Sequence, residues 1–256
     1  MTQLSAKDLW IQRPRPRPGA RLRLLLLPHA GGGASAFRGW ADAIAADGVE
    51  VCPVQLPGRE NRLGEPPFDR LPPLVEALAG ALERWHDLPY AVFGHSIGSL
   101  VGFELARRAA AAGVPGPVHL FASARRAPGL PSRQRDIHQL PDAELLADLR
   151  ALGGMPQALL DHPELMALVL PVLRADLALT ETYTPTPGIT IGAPITAYLG
   201  EGDEKVTVDE ARAWGSHTTA SFRMRTFPGD HFYLFALRDQ VLQALSADLR
   251  AITAAL

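Results

Sequence analysis

The sequence has little of what builds disulfide frameworks, metal clusters or membrane spans. It contains a single cysteine, Cys52, which excludes an intramolecular disulfide and points to a reducing cytoplasm. No group of cysteines and histidines has the spacing of a zinc site. The most apolar early run, residues 24–27, is far too short to cross a bilayer, and the N-terminus lacks the apolar stretch of a signal peptide. We therefore expect a soluble cytoplasmic protein without a membrane anchor.

A strong charge of one sign is also lacking. The formal net charge is −2 over 256 residues, so the chain as a whole attracts neither nucleic acid nor anionic lipid. Hydrophobic residues make up 47% and charged residues 20% of the chain, a balance that supports a large buried core and is unlike that of a disordered chain. The length fits one large α/β domain better than two domains.

Short apolar runs alternate with longer helical patterns after residue 20. This alternation is typical of βα units around a mostly parallel sheet that is flanked by helices. Strands are predicted at 21–28, 49–55, 90–94, 118–122, 194–199 and 221–227. Helices are predicted near 35–46, 71–85, 97–112, 208–216 and 239–253.

Two segments interrupt this rhythm. Residues 13–18 alternate arginine and proline, which fixes every second φ angle, removes amide donors and concentrates like charge. Residues 1–20 are therefore predicted to form a flexible arm before a single domain at 21–256.

Between about 130 and 190, helical patterns occur without an intervening strand, and they are longer than the helix of a normal crossover connection. They predict an inserted helical lid, with an ordinary pair of connecting helices as the alternative, and the two patterns cover 143–152 and 164–182.

A predicted strand, a sharp turn and a helix surround Ser96. Residues 90–112 read Y-A-V-F-G-H-S-I-G-S-L-V-G-F-E-L-A-R-R-A-A-A-A, with G-H-S-I-G at the turn. Side chains in place of the two glycines would collide with the strand and the helix that meet there. A bare G-x-S-x-G pattern recurs by chance. In this context it predicts a nucleophilic Ser96 at the carboxyl edge of the sheet, with the Ile97 amide as an oxyanion donor.

A serine nucleophile needs a histidine base that an acid orients. The chain order nucleophile, acid, histidine favours His231, which follows the last predicted strand in F-P-G-D-H-F-Y, better than the other seven histidines. Asp203 directly follows the strand P-I-T-A-Y-L-G, and Gly202 gives the backbone freedom to turn the carboxylate inward. We interpret Glu201 and Glu204 as solvated loop charges.

A glycine-rich turn follows the first strand, where residues 24–34 read L-L-L-L-P-H-A-G-G-G-A. This turn is comparable to the H-G-G-G turn of lipases, so the Ala30 amide is expected to be the second oxyanion donor, beside that of Ile97. A phosphate-binding loop is the alternative. No lysine follows as in G-x-x-x-x-G-K-S/T and G-x-G-x-x-G fits poorly, so nucleotide binding is not expected.

Taken together, these motifs resemble the discrete type II thioesterases that accompany polyketide synthases and nonribosomal peptide synthetases. The resemblance covers nearly the whole chain. It implies an α/β-hydrolase fold, a triad of Ser96, Asp203 and His231, an oxyanion hole of the Ala30 and Ile97 amides, and a mobile lid over an acyl channel. Ile97 departs from the methionine that is more frequent there, which puts only the local shape of the pocket in doubt. The segments that carry the resemblance are L-P-H-A-G-G-G-A-S-A-F-R-G-W at 27–40, V-Q-L-P-G-R-E-N-R at 54–62, F-G-H-S-I-G-S-L-V-G-F-E-L-A at 93–106, S-A-R-R-A-P at 123–128, L-G-E-G-D at 199–203 and P-G-D-H-F at 228–232.

The activity that this resemblance implies is hydrolysis of acyl thioesters on the phosphopantetheine arm of acyl or peptidyl carrier proteins, which removes stalled or wrongly loaded groups. The chain contains no fused carrier domain, so it is expected to act in trans, with no metal and no bound cofactor. A small-molecule esterase or lipase with the same triad is the nearest alternative. A non-catalytic binding protein on a hydrolase scaffold is disfavoured, because nucleophile, base, acid and oxyanion loop are all present.

Four arginines, Arg125, Arg126, Arg133 and Arg135, lie between a predicted strand end and the lid. Carrier proteins of this kind are usually acidic around the serine that bears the arm, so the cluster predicts a basic rim that steers docking. The alternative is a solvated arginine-rich loop whose guanidinium groups pair internally with nearby acids.

Overall fold

Six parallel strands form one sheet at the centre of the computed structural model, which describes residues 9–44, 46–133, 135–152 and 162–256. The strand order is β2-β1-β3-β4-β5-β6, so the chain reverses its direction of travel across the sheet after β2. Each strand lies within two residues of its predicted bounds. The strands are β1 (Leu22–Leu27), β2 (Val49–Pro53), β3 (Tyr90–His95), β4 (His119–Ser123), β5 (Ile195–Gly200) and β6 (Phe222–Phe227).

Helices connect these strands and continue after the last one. The α-helices are α1 (Trp40–Ala43), α2 (Leu71–Leu82), α3 (Ile97–Ala112), α4 (Asp142–Leu152), α5 (Pro163–Glu181), α6 (Val208–Arg212), α7 (Tyr233–Ala236) and α8 (Arg238–Ala255). The prediction of one helix over 35–46 is wrong for the described residues there. Gly39 adopts a left-handed φ of 77° and separates a 3₁₀ turn, Ala34–Phe37, from the short α1. Within the described ranges, no helix is long and apolar enough to cross a membrane.

Apolar layers cover both faces of the sheet. Leu25 and Leu27 of β1 belong to the layer that contains α2 and α3 residues, whereas Leu24 and Leu26 belong to the layer that contains α8 residues. Because successive side chains of a strand point to opposite faces, a strand covered on both sides reads as a continuous apolar run. This explains the four consecutive leucines of β1. Because all six strands are parallel, the carboxyl ends of β1, β3, β5 and β6 lie along one edge of the sheet.

The N-terminal segment differs from the predicted flexible arm where it is described. Trp10 and Ile11 are buried, and Ile11 forms an antiparallel bridge with Val54. The Arg13 side chain donates to the Glu50 carboxylate, with Nε 2.8 Å from Oε1. Glu50 is fully buried on β2, and a buried carboxylate needs partners of this kind. Arg13, the first arginine of the Arg-Pro run, therefore has an internal partner, which the composition of that run did not indicate.

The predicted helical insertion is present between β4 and β5 as α4 and α5. Leu145 and Leu149 of α4 pack with Met166 and Leu170 of α5 and with Ile137 to form a small apolar cluster of their own. The expectations for residues 153–161 lie outside the described residues. The role of this insertion as a lid stays a prediction.

Candidate active site

Ser96 occupies the sharp turn between β3 and α3. Its φ angle is 54°, a left-handed conformation that is strained for a residue with a side chain. A Cβ atom on Gly94 would lie 2.2 Å from the carbonyl carbon of Gly98, and one on Gly98 would lie 2.3 Å from the Leu27 carbonyl oxygen. The two glycines of G-H-S-I-G are therefore required by close backbone contacts, and the turn leaves Ser96 facing a cavity.

Two hydrogen bonds link Ser96 to a histidine and then to a carboxylate. The Ser96 Oγ atom lies 3.2 Å from His231 Nε2, and His231 Nδ1 lies 2.8 Å from Asp203 Oδ2. The other carboxylate oxygen, Asp203 Oδ1, accepts the backbone amides of Lys205 at 2.8 Å and Val206 at 3.2 Å. The carboxylate is thus fixed on both oxygens, and it holds the imidazole with Nε2 towards the serine.

Loops after β5 and β6 bring Asp203 and His231 together. The Gly202 amide donates to the Gly229 carbonyl at 2.8 Å, which ties the two loops to each other beside the site. Glu201 accepts the Thr226 hydroxyl and is exposed, so it faces away from His231. Of the three neighbouring carboxylates that the sequence offered, the described structure places only Asp203 against the histidine.

Two further histidines, His29 and His95, lie near His231, and in the described structure neither forms a hydrogen bond with Ser96 Oγ. His95 Nδ1 is 2.8 Å from the Ser123 hydroxyl, which is 2.7 Å from the Tyr233 hydroxyl, so a buried chain of hydrogen bonds supports the turn. Burial, with the nearby His231 adding to it, lowers the pKa of His29 to about 4 and that of His95 well below the usual value. Both are neutral near pH 7. The chain from His95 to Tyr233 was not evident from sequence, because its members come from three separate elements.

The glycine-rich turn after β1 is held from outside the sheet by Asp176 of α5. The Gly31 amide donates to Asp176 Oδ2 at 2.7 Å, and Arg59 donates to the same carboxylate through Nη1 at 2.6 Å and Nη2 at 2.9 Å. Arg59 Nη1 also donates to the Gly32 carbonyl at 3.2 Å. Arg59 is only 5% and Asp176 only 1% exposed. This buried pair fixes the turn that carries Ala30.

The Arg59–Asp176 pair is a part of the site that sequence reasoning missed. Arg59 lies in the V-Q-L-P-G-R-E-N-R segment, but nothing there names its partner 117 residues away. Asp176 lies among apolar residues in the interior of a helix. An acid at such a position is a signal that could have been used, because a buried carboxylate requires a donor. The pair also ties α5, part of the predicted mobile lid, to the turn after β1.

Ser96 and His231 lie at one side of a cavity of about 560 Å³. Ala30 and Ile97 line the same cavity, and their role as oxyanion donors stays a prediction. The remainder of the lining combines charged side chains with apolar ones that come from the insertion and the chain before it: Leu130, Ile137, Leu149 and Leu177. A cavity of this volume can hold a small organic group whose reactive end lies at the serine.

The four arginines of the predicted docking rim fall into two pairs. Arg133 donates to Glu210 at 2.9 and 3.0 Å, and Arg135 donates to Asp148 at 2.7 Å. Arg125 and Arg126 are partly buried and line the cavity beside Ser96. Internal pairing, the alternative that the sequence left open, therefore applies to Arg133 and Arg135. Docking of a carrier protein on any of the four stays a prediction.

Known proteins are similar to this chain along almost its entire length. The thioesterase domain family model matches residues 22–249. The gramicidin S biosynthesis protein GrsT of Aneurinibacillus migulanus is 39% identical over 254 residues, which are 99% of each chain. Two solved structures are also similar. The type II thioesterase BorB from the borrelidin biosynthetic cluster has a TM-score of 0.83 and 39% identity, covering 95% of this chain and 97% of its own. The RedJ thioesterase of the prodiginine pathway in Streptomyces coelicolor has a TM-score of 0.82 and 42% identity, covering 92% of this chain and 91% of its own. These matches confirm the predicted α/β-hydrolase fold.

Proposed function

The chain belongs to the thioesterase domain family, and we propose that it is a type II thioesterase that removes stalled or aberrant acyl groups from carrier proteins of a polyketide or nonribosomal peptide assembly line. Thioester hydrolysis is the shared activity of the family. The observation that carries the proposal is the hydrogen-bonded series Ser96–His231–Asp203 beside a cavity that both apolar and charged side chains line. Similarity to BorB, which is described as a type II thioesterase, supports the finer assignment.

In the first step, Ser96 attacks the carbonyl carbon of the acyl thioester. The Ser96 Oγ proton passes to His231 Nε2 while the new C–O bond forms, and Asp203 stabilises the resulting imidazolium through Nδ1. The Ala30 and Ile97 amides stabilise the oxyanion, a contribution of about 3–4 kcal/mol per donor in related sites. The C–S bond then breaks, and His231 returns the proton to the departing thiolate of the arm.

In the second step, water releases the acyl group from Ser96. His231 accepts a proton from the water as its oxygen bonds to the acyl carbon, and it then protonates Ser96 Oγ as the ester bond breaks. The products are the free acid and the unloaded thiol. These steps use only side chains and amides of the chain and one water molecule.

The proposal includes action in trans, on a carrier protein that is a separate chain. The phosphopantetheine arm would bring the thioester to Ser96 from the partner carrier protein, while the acyl group extends along the apolar side chains of the cavity. Because the cavity accepts the acyl group and not the carrier, the enzyme can act on the same arm with different acyl loads.

The test is single-turnover hydrolysis of acyl groups from a purified carrier protein, followed by mass spectrometry of the loaded and free arm. The wild-type enzyme is expected to release the acid, and Ser96→Ala is expected to release none. Ser216→Ala is the matched control, because the Ser216 hydroxyl is exposed and donates only to the Ala213 carbonyl in the described structure.

Labelling with a fluorophosphonate adds an independent measurement. The adduct should form on Ser96 in the wild-type enzyme and in Ser216→Ala. An adduct on another serine with Ser96 unmodified would contradict the nucleophile. Fast hydrolysis of small free esters combined with no release from carriers would favour an esterase and overturn the proposed substrate class.

A further inference from the structure

Ser123 ends β4 beside the turn of the nucleophile, and it contacts that turn through its backbone. The Ser123 carbonyl oxygen accepts the Ser96 amide at 2.8 Å and the Ser99 hydroxyl at 3.0 Å. Ser96 has a left-handed φ of 54°, and such a conformation persists only where the surrounding structure fixes it. The Ser123 carbonyl is therefore one of the contacts that fix the nucleophile.

The side chain of the same residue faces the loop that carries the base. The Ser123 hydroxyl lies 2.8 Å from His95 Nδ1 and 2.7 Å from the Tyr233 hydroxyl. A serine hydroxyl has one hydrogen and two lone pairs, so it can donate to one of these neighbours while it accepts from the other. All three side chains are buried, and a buried hydroxyl that loses its partner is costly. These contacts therefore resist displacement.

Tyr233 lies two residues after His231, at the start of α7, and its ring is packed between other rings. It stacks on Phe227 of β6 with the ring centres 5.1 Å apart, and its centre is 6.2 Å from that of His95. The Tyr233 amide donates to the Asp230 carbonyl at 3.2 Å, which closes the backbone turn around the catalytic histidine. A displacement of Tyr233 would therefore also move the base.

The contact between base and nucleophile is the longer of the two hydrogen bonds in the triad. His231 Nε2 lies 3.2 Å from Ser96 Oγ, compared with 2.8 Å between His231 Nδ1 and the Asp203 carboxylate. Asp203 holds one end of the imidazole, but in the described structure it forms no hydrogen bond with the serine. Ser123 connects the two reacting groups by another route, because its carbonyl holds the nucleophile and its hydroxyl holds the loop of the base.

We infer that Ser123 and Tyr233 are positioning residues for the reaction. Their hydrogen bond sets the distance between the Ser96 hydroxyl and the imidazole of the base, and thereby the rate at which the serine is acylated. In the described structure neither side chain lines the cavity, so their loss should lower kcat and leave KM near the wild-type value. This inference rests on the serine mechanism of the proposed function and adds two residues to it.

The experiment compares Tyr233→Phe, Ser123→Ala and the double variant with the wild-type enzyme, using butyryl N-acetylcysteamine as the thioester. Each single variant should lower kcat about 10- to 100-fold, the range that a misplacement of about 1 Å or less produces. Because both hydroxyls act through one hydrogen bond, the double variant should be about as slow as the slower single variant. Labelling of Ser96 by a fluorophosphonate should slow in parallel, since that reaction also requires His231 to accept the serine proton.

Tyr198→Phe is the matched control for Tyr233→Phe. Tyr198 is an equally buried tyrosine, its hydroxyl donates to Asp248 at 2.8 Å, and it does not line the cavity in the described structure. This variant should unfold at a lower urea concentration than the wild-type enzyme but keep its kcat and its labelling rate. The comparison therefore separates a hydroxyl that only stabilises the fold from one that positions the base.

Two outcomes would overturn the inference. One is a wild-type kcat and labelling rate in Tyr233→Phe, or an equal loss in Tyr198→Phe, and this comparison decides the matter even if Ser123→Ala does not fold. The other is a double variant whose loss equals the product of the two single losses, because the hydroxyls would then act separately. If the wild-type enzyme hydrolyses no thioester, the proposed function fails, whereas slower labelling of Ser96 in Tyr233→Phe alone would still support the positioning role.

Discussion

The cavity has two sides that are built in different ways. On one side, backbone and side chains are fixed by short buried contacts: Asp203 holds His231, and Asp176 with Arg59 holds the turn of Ala30. On the other side, along residues 125–149, Arg125 and Arg126 have no ion pair in the described structure. The Arg135–Asp148 pair on that side is more exposed.

This difference teaches which side determines which property. Stabilising an oxyanion and a transient imidazolium requires groups that do not reorganise during the reaction, and under the proposed mechanism the fixed side would supply them. Side chains without a fixed partner can instead adapt to different acyl groups, and under the proposed function the open side would supply them. Substitutions on the fixed side should therefore alter the rate for all substrates or the stability, whereas substitutions on the open side should alter the choice of substrate.

The largest effect is expected for Asp203→Asn on the fixed side. An asparagine keeps the shape but favours the wrong imidazole tautomer and cannot stabilise the imidazolium, so kcat should fall about 10⁴-fold for every acyl group. Single-turnover acylation with carrier-bound substrates measures this loss. The free energy of unfolding should change much less than the rate.

Glu201→Gln is the control for Asp203→Asn. Glu201 is exposed and accepts only the Thr226 hydroxyl in the described structure, so kcat should stay near the wild-type value. A similar loss in both variants would show that the loop after β5 acts through its fold, and the distinct role of Asp203 would have to be abandoned.

A smaller but still large effect is expected for Asp176→Ala. The change leaves the Arg59 guanidinium buried without its partner and removes the acceptor of the Gly31 amide, which should lower the free energy of unfolding by about 3–5 kcal/mol. Urea denaturation followed by circular dichroism measures it. The remaining folded enzyme should show a lower kcat for all acyl groups alike, because the Ala30 turn is less firmly held.

An exposed ion pair on the same segment provides the control for Asp176→Ala. Asp142 at the start of α4 binds Arg174 of α5 at 2.6 Å, but its side chain is 73% exposed. Asp142→Ala should cost about 1 kcal/mol or less. If both variants lose the same stability, burial of the Arg59–Asp176 pair has no special effect and the fixed side is less rigid than inferred.

Much of the fixed side could be predicted from the sequence, because its strands and the turn of Ser96 each correspond to a recognisable pattern of neighbouring residues. The turn around Ser96 requires glycines two residues before and two residues after it, Gly94 and Gly98. The strands are predicted by short apolar runs. The Asp176–Arg59 contact carries no such signal, since it depends on how a distant helix crosses the sheet edge. The same limit applies to the arginines: their clustering was visible in the sequence, but whether each guanidinium meets a carboxylate depends on tertiary contacts.

The smallest effect is expected for the double variant Arg133→Gln and Arg135→Gln, which tests the predicted docking rim. Both arginines are already neutralised by Glu210 and Asp148, so little of their field is left to steer an acidic carrier protein. At low ionic strength, kcat/KM for carrier-bound substrates should fall about fivefold or less, as for the loss of surface ion pairs. The difference should shrink as salt is added, because exposed charges are screened. N-acetylcysteamine thioesters, which have no carrier to dock, should react at the wild-type rate.

A loss of more than about tenfold on carriers alone would show that these arginines dock the partner despite their internal pairs. A parallel loss on both kinds of substrate would show instead that releasing Asp148, which lines the cavity, disturbs the acyl site.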